Sequence, residues 1–235
     1  MTQPLRLYVD AALAADTLLT LSDTQAHYVA TVMRRQVGDP VLLFNGRDGE
    51  WSGHLSALSR RGAAVLVVVR RRAQAAEQGP WLVFGLLKRD ATDLVVRMAT
   101  ELGVAAILPA ITERTNAFRV NESRLTAIAV EAAEQCERLT VPALHSPRPL
   151  PAILADWPAD RRLFVAIERA EAPALRPPGG LAGLLIGPEG GFSGGELDAF
   201  ARSPIVGAVS LGPRVLRAET ACLAGLALLQ APGCG

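Results

Sequence analysis

Two stretches of this sequence bring glycine, proline and ionisable side chains together where an apolar strand gives way to a helix. The first, Leu184-Leu-Ile-Gly-Pro-Glu-Gly-Gly-Phe-Ser193, leads from Ile186 into Gly187, Pro188, Glu189, Gly190 and Gly191. Ser193 and Glu196 stand at the S-x-x-E spacing of a capping box, so a helix starts directly after this loop. Glycines at the carboxyl end of a parallel strand let a ligand approach the main chain, and α/β sheets bind ligands in such crevices. Pro188 fixes one dihedral and removes one donor, which stiffens the turn. Neither GxGxxG nor GxxxxGK is present, and Glu189 would repel a pyrophosphate. A ligand with a positive or neutral group suits the loop better; a ligand-free Gly-rich connection is the alternative.

The second stretch, Ser210-Leu-Gly-Pro-Arg-Val-Leu-Arg-Ala-Glu-Thr-Ala221, repeats the strand, Gly-Pro, helix order. It gathers Arg214, Arg217, Glu219 and Thr220 around a helix start. A glutamate in a first turn is favourable, but two guanidiniums beside a positive helix end are not unless an anion arrives. Local conflicts of this kind are expected at functional sites. Two further segments carry polar groups. Glu113-Arg114-Thr115-Asn116 follows an apolar strand at Ala105–Pro109, which places it at the carboxyl rim of the same sheet. Glu134 and Arg138 end a long helix as an i, i+4 pair, which by itself is surface support.

The elements that position these groups follow from hydrophobic period. In the first third, Val41–Phe44, Trp51–Leu58 and Ala63–Val69 are short strands separated by Gly-containing turns, which predicts a meander or small barrel. One helix, behind Ser22 or Asp23, carries Ala26, Val29, Val32 and Met33 at helical spacing. After Ala73–Pro80 the rhythm becomes strand, helix, strand. Trp81–Leu87 is a strand, and Asp90 caps a helix with Leu94, Val95, Met98 and Leu102 on one face, stopped by Gly103. A long helix carries Leu125, Ile128, Ala129, Ala132, Cys136 and Leu139. Strands follow at 163–167, 184–186 and 206–211, and a helix closes the chain from about Arg217 to Gln230. This alternation predicts a mostly parallel sheet covered on both faces. The division is a β-rich domain over 1–72, a linker over 73–80 and an α/β domain over 81–235.

Composition narrows the function classes. Half of the 235 residues are apolar and 20% are charged, ample for a buried core. Net charge is +1, so no global charge announces a polyanionic partner, although residues 1–72 hold nine Arg against six acids. Lys88 is the sole lysine. The three cysteines lack CxxC spacing and do not cluster with the three histidines, which argues against a disulfide framework and a structural zinc site. No basic start with an apolar run and no apolar stretch of about 18 residues is present, so the expectation is a cytoplasmic protein without a membrane span.

Taken in order, Glu101-Leu-Gly-Val, Glu113-Arg114, Glu134-Gln-Cys136 with Val141-Pro142, Ile186-Gly-Pro-Glu-Gly-Gly191 and Leu211-Gly-Pro-Arg-Val-Leu-Arg-x-Glu-Thr220 resemble the RsmE family. Its members are 16S ribosomal RNA uridine N3-methyltransferases of the SPOUT superfamily. His27–Arg34, Gly38-Asp39 and Leu43-Phe-Asn-Gly46 are similar to that family's PUA-like RNA-binding module. Arg97 stands where many relatives carry Lys, and Leu139-Thr140 replaces more polar residues.

The resemblance implies a small PUA-like β-barrel, then a SPOUT domain with a C-terminal trefoil knot, S-adenosylmethionine as donor, no metal, and a homodimer acting on the small ribosomal subunit. It assigns the donor to Ile186, Gly187, Pro188, Glu189, Gly190, Gly191, Leu211, Gly212 and Leu216. For such a reaction Arg217 and Arg214 are the candidates to stabilise charge on the uracil oxygens or to hold the flanking phosphate, and Glu219 is the leading general base, with Glu189 next and a water as the alternative. Arg6, Arg34, Arg35 and Arg114 are the expected RNA contacts, joined by Arg60, Arg61 and Arg70–Arg72. Two rivals stand beside this reading. A nucleotide-dependent oxidoreductase or kinase lacks its motifs here, and a non-catalytic RNA-binding or ribosome-assembly protein on the same fold differs only by a methyl-transfer assay.

Overall fold

The structure is a computed structural model that describes residues 4–59, 62–116, 120–168 and 171–231. Arg60 and Arg61 therefore lie outside the described residues. The chain divides into two compact units. The first comprises residues 1–76 together with 133–141, and the second comprises 77–132 and 142–235. Residues 133–141 thus leave the α/β portion, which the sequence division had treated as continuous from 81.

In the first unit, strands β1 (Leu5–Tyr8), β2 (Leu18–Thr20), β3 (Pro40–Phe44), β4 (Glu50–Ser59) and β5 (Gly62–Arg72) form one sheet in the order β1-β3-β4-β5-β2. Only β1 and β3 run parallel. The inward residues Leu7, Val41, Leu43, Leu55, Val65 and Val67 are essentially inaccessible and make the core. Helix α1 (Asp23–His27) begins at a complete capping box between Ser22 and Gln25. It widens into a π turn over Tyr28–Val32, which breaks the expected helical stripe. Ala26 and Val29 are buried, whereas Val32 and Met33 are exposed.

Arg6 corrects one expectation. Its side chain is buried, not offered to RNA. Nε donates to Glu50 Oε2 at 2.7 Å, Nη1 donates to the Ala133 carbonyl at 2.7 Å, and Nη2 donates to the Arg138 carbonyl. The guanidinium also stacks 3.8 Å from the Phe44 ring centre. Arg72 completes the network by donating to both Glu50 oxygens and to the Glu137 carbonyl. Arg6 thereby satisfies carbonyls at the end of helix α3 (Glu122–Gln135), where a cation is electrostatically favoured. Helix α3 stops at Gln135, so Arg138 lies beyond its end. Glu134 accepts from the Tyr8 amide at 2.8 Å, and Arg138 is buried.

In the second unit, β6 (Trp81–Gly85), β7 (Ala106–Ile111), β8 (Ala143–Leu144), β10 (Arg162–Ala166), β11 (Ala182–Ile186) and β12 (Val206–Val209) lie in the order β12-β10-β11-β6-β7-β8, and β9 (Arg148–Pro149) also pairs with β7. Every pairing is parallel. Helices α2 (Arg89–Glu101) and α6 (Ala218–Gln230) pack together on one face, where Leu184 meets Gly225 so closely that a Cβ there would stand 2.5 Å from Leu184 Cδ2. Helices α4 (Leu150–Ala155) and α5 (Gly194–Arg202) cover the other, over Val83, Val165 and Leu185. Helix α2 starts two residues earlier than expected, with Lys88 at its N-cap and Asp90 in its first turn. Its buried face is Thr92, Val95, Val96, Ala99 and Thr100.

Glu50 makes the first unit's stability depend on acid. Burial alone would raise its pKa, but the hydrogen bonds and charges of Arg72 and Arg6 outweigh that and lower it below the usual value. Its contribution is therefore present above the unfolded value near 4.5 and is lost as pH falls through the lower folded value. Arg6→Ala is expected to cost about 3 kcal/mol in urea unfolding at neutral pH. Part of that loss should vanish once Glu50 is protonated.

Candidate functional site

All the strands of the second unit point their carboxyl ends to one rim, and the sequence direction of the sheet reverses between β6 and β11. Open α/β sheets bind ligands at such a switch point. A cavity of about 1630 Å³ lies there. Its walls come from the start of α2 (Lys88, Arg89, Asp90), the ends of β10 (Ala166, Ile167, Glu168) and β11 (Ile186–Gly191), and the turn after β12 (Ser210–Leu216) that enters α6.

The loop after β11 is built by three local choices. Pro188 seats directly on β6, because Gly85 has no side chain: a Cβ there would lie 2.5 Å from Pro188 N and Cδ. The Gly191 amide then donates to the Pro188 carbonyl at 2.8 Å, with Gly191 at φ 68°, a region that penalises any Cβ. Ser193 caps α5 through the expected box: its Oγ accepts from the Glu196 amide, and Glu196 Oε2 accepts from the Ser193 amide at 2.8 Å.

The turn after β12 is held by Ser210, whose Oγ accepts from the Gly212 amide at 3.2 Å. Gly212 takes φ 113°. Arg217 follows as the N-cap of α6 with an extended backbone and no side-chain cap bond, and Glu219 lies in the first turn. Arg214 and Arg217 are exposed and make no hydrogen bond or ion pair among the described residues.

The structure brings every expected donor residue to this cavity: Ile186, Gly187, Pro188, Glu189, Gly190, Gly191, Leu211, Gly212 and Leu216 all line it. Arg214, Arg217, Glu219 and Arg114 line it too. Arg114 donates to the Gly190 carbonyl at 3.0 Å, so it braces the loop. Arg34 and Arg35 belong to the first unit; Arg34 is exposed at φ 51° and Arg35 is half-buried. The lining residues not foreseen from the sequence include Lys88, Arg89, Leu94 and Ala166–Glu168. Lys88 had a signal, being a lone lysine at the end of a buried strand; Leu94 looked like core from its spacing.

Cys222, one helical turn beyond Ala218, is buried, and burial followed by the charge of Glu219 pushes its thiol pKa upward. It stays a neutral thiol and offers no nucleophile. Among the described residues, no group of three or more His, Cys, Asp or Glu side chains could hold a metal ion.

Comparison with known proteins identifies the fold and its relatives. The RNA methyltransferase domain model matches residues 77–230, and the RNA methyltransferase PUA domain model matches residues 21–68. Ribosomal RNA small subunit methyltransferase E of Rickettsia conorii is 33% identical over 236 residues, covering 97% of this chain and 96% of the relative. The chain belongs to the ribosomal RNA small subunit methyltransferase E family. A member from Neisseria gonorrhoeae, solved bound to S-adenosyl methionine, superposes with a TM-score of 0.86 at 28% identity over 97% of each chain. A Legionella pneumophila protein solved in complex with the same cofactor also gives 0.86, at 29% identity over 98% of each chain. The α/β unit thus has the SPOUT-type methyltransferase fold and the first unit is PUA-like, as the resemblance implied.

The Pro188 seat is directly testable. Gly85→Ala would drive a methyl group into the backbone of the Pro188 turn, an overpacking cost of about 1–3 kcal/mol. Urea unfolding should show that loss, whereas Gly180→Ala, which meets nothing within 4 Å, should show none.

Proposed function

We propose that this chain transfers a methyl group from S-adenosylmethionine to N3 of a specific uridine in the 16S ribosomal RNA of the small subunit. The observation that carries this reading is the convergence of two Gly-Pro turns, from β11 and β12, on one cavity that also holds Arg214, Arg217 and Glu219. Kinship with ribosomal RNA small subunit methyltransferase E, and relatives solved with the donor bound, support it.

The residues present fit such a donor. Ile186, Leu211, Leu216 and Ile167 give apolar walls for a purine. Open space surrounds the position a Cβ would take at Gly191 and Gly212, so the main chain there can be approached closely. Glu168 and Glu189 suit a cationic ligand and would oppose a pyrophosphate. When bound, the donor supplies an electrophilic methyl group on a sulfonium.

The protein's own groups have two tasks. Uracil N3 carries an imide proton and lies on the Watson–Crick edge, so the base has to be unstacked and the proton taken. Glu219 is the base best placed to take it, in the first turn of α6, and Glu189 on the facing loop is second. Arg217 and Arg214 oppose the negative charge that gathers on the uracil oxygens, or hold the adjoining phosphate. Most of the rate gain then comes from positioning. In the PUA-like unit the exposed Arg34, Arg70 and Arg71, with Arg35, supply phosphate contacts.

The same reading includes the knot and the homodimer implied by the resemblance. Support for the knot comes from Ala174, which bridges to Ser210 before the chain turns back to lay α6 on β11 and β6 at mid-sheet. Sedimentation of the purified protein checks the dimer.

Ribosomal RNA from cells with and without the gene, digested and analysed for N3-methyluridine, tests the activity; its persistence without the gene would overturn the proposal. Arg217→Ala should abolish methylation and leave donor binding near normal, and equal loss of both would refute its charge-stabilising role. RNA affinity should fall steeply as salt rises, measured by filter binding.

A further inference from the structure

Glu196 does more than a capping box asks. In that motif the glutamate reaches back to the N-cap amide, which occupies one carboxylate oxygen. Here Oε2 accepts from Ser193 N at 2.8 Å, and Oε1 accepts from Glu113 N at 3.0 Å, a residue 83 positions earlier in the chain. The side chain is buried, with the residue 7% exposed, so neither oxygen can exchange its partner for bulk water.

Glu113 sits in the turn that follows β7, and Ser193 ends the loop that follows β11. Strand β6 lies between those two strands, so the carboxylate ties together loops that cross over the end of β6. A second tie runs beside it. Arg114 Nη1 donates to the Gly190 carbonyl at 3.0 Å, and a Cβ on Gly190 would stand 3.3 Å from Arg114 Cβ. The Glu113–Arg114 turn is itself rigid, because Thr112 N donates to Thr115 Oγ1 at 2.9 Å and Thr115 N donates to the Thr112 carbonyl at 3.2 Å. Below the loop, Pro188 rests on Gly85.

We propose that Glu196 is a positioning residue for the donor: it joins the Thr112–Thr115 turn to the Gly187–Gly191 loop and so holds that wall of the cavity in its binding shape before any ligand arrives. Glu196 touches neither donor nor substrate. Its effect passes through the Gly190–Gly191 main chain, and preorganisation of that chain removes an ordering cost from binding. The inference rests on the donor assignment made above, but its first readout does not.

Glu196→Gln keeps the shape of the side chain and one acceptor oxygen, and turns an NH2 donor toward one of two backbone N–H donors. One buried bond is therefore lost and a donor is left unsatisfied. Ser193→Ala is the control: it removes the hydroxyl cap of α5 but leaves both amides that Glu196 accepts from. Amide hydrogen exchange is followed by NMR on the ligand-free proteins, alongside thermal unfolding and titration calorimetry with S-adenosylmethionine. In Glu196→Gln, exchange at Glu113 and Gly191 should accelerate by about tenfold or more while the β10 and β11 amides keep their protection. Donor affinity should fall about tenfold. Ser193→Ala should lower the melting temperature and leave both loop exchange and affinity unchanged. Combining Glu196→Gln with Arg114→Ala should weaken binding by less than the product of the single effects, since both act on one loop. Unchanged exchange at Gly191 in Glu196→Gln, or equal affinity losses in Glu196→Gln and Ser193→Ala, would reduce Glu196 to a helix cap and overturn the proposal. If the unaltered protein fails to bind S-adenosylmethionine at all, the functional reading falls, and the exchange measurements alone decide the clamp.

Discussion

Pro188 pressed against Gly85 is the contact on which the rest of the site depends. Two adjacent parallel strands, β6 and β11, end side by side, and the chain leaving β11 has to turn across its neighbour without lifting away from it. Only a residue without a Cβ at position 85 leaves room for the proline ring. Once that turn is seated, Gly191 can adopt its positive φ, Ser193 falls at the start of α5, and Glu196 comes within reach of Glu113. The cavity wall is thus mostly main chain, held from below by a strand and from the side by a carboxylate. A wall of this kind recognises a ligand by shape and by backbone groups, with few side chains to lose.

The two helices that open onto the cavity show why its charge is mixed. Lys88 and Arg217 occupy the N-caps of α2 and α6, positions that favour Ser, Thr, Asp or Asn, and neither caps its helix with a side chain. Asp90 and Glu219 follow in the first turns, where a negative charge is stabilised. Each helix therefore presents a cation and an anion within one turn. A site that has to accept both a cationic donor and an anionic polymer needs both signs close together, and a uniformly basic pocket would repel the donor.

Much of this was legible in the residues. Apolar runs such as Trp81–Leu87 and Leu184–Ile186 announce buried parallel strands, realised as β6 and β11, and the two Gly-Pro stretches, with the family resemblance, announced residues that line the cavity. What stayed hidden has physical causes. Strands of three or four residues such as β1 and β2 are too short to show a period. The π turn at Tyr28–Val32 shifts the phase of α1, so Val32 and Met33 fall on the outside of a stripe that looked continuous. Arg6 reads as a surface cation because nothing local reveals that Glu50 and the end of α3 enclose it. The second oxygen of Glu196 is invisible for the same reason: its partner is 83 residues away.

The excursion of residues 133–141 has a consequence for how this protein could be taken apart or recombined. The polypeptide enters the PUA-like unit twice, once at its beginning and once in the middle of the α/β portion, and Arg6 and Arg72 grip the second visit through the carbonyls of Ala133, Glu137 and Arg138. A single cut after position 76 would not release an intact α/β unit, because it would strip residues 133–141, with buried Ala133, Arg138 and Leu139, of their hosts and leave carbonyl groups without their arginine donors. Exchange of the PUA-like portion between relatives, in evolution or in the laboratory, has to carry matching changes on both sides of that embrace.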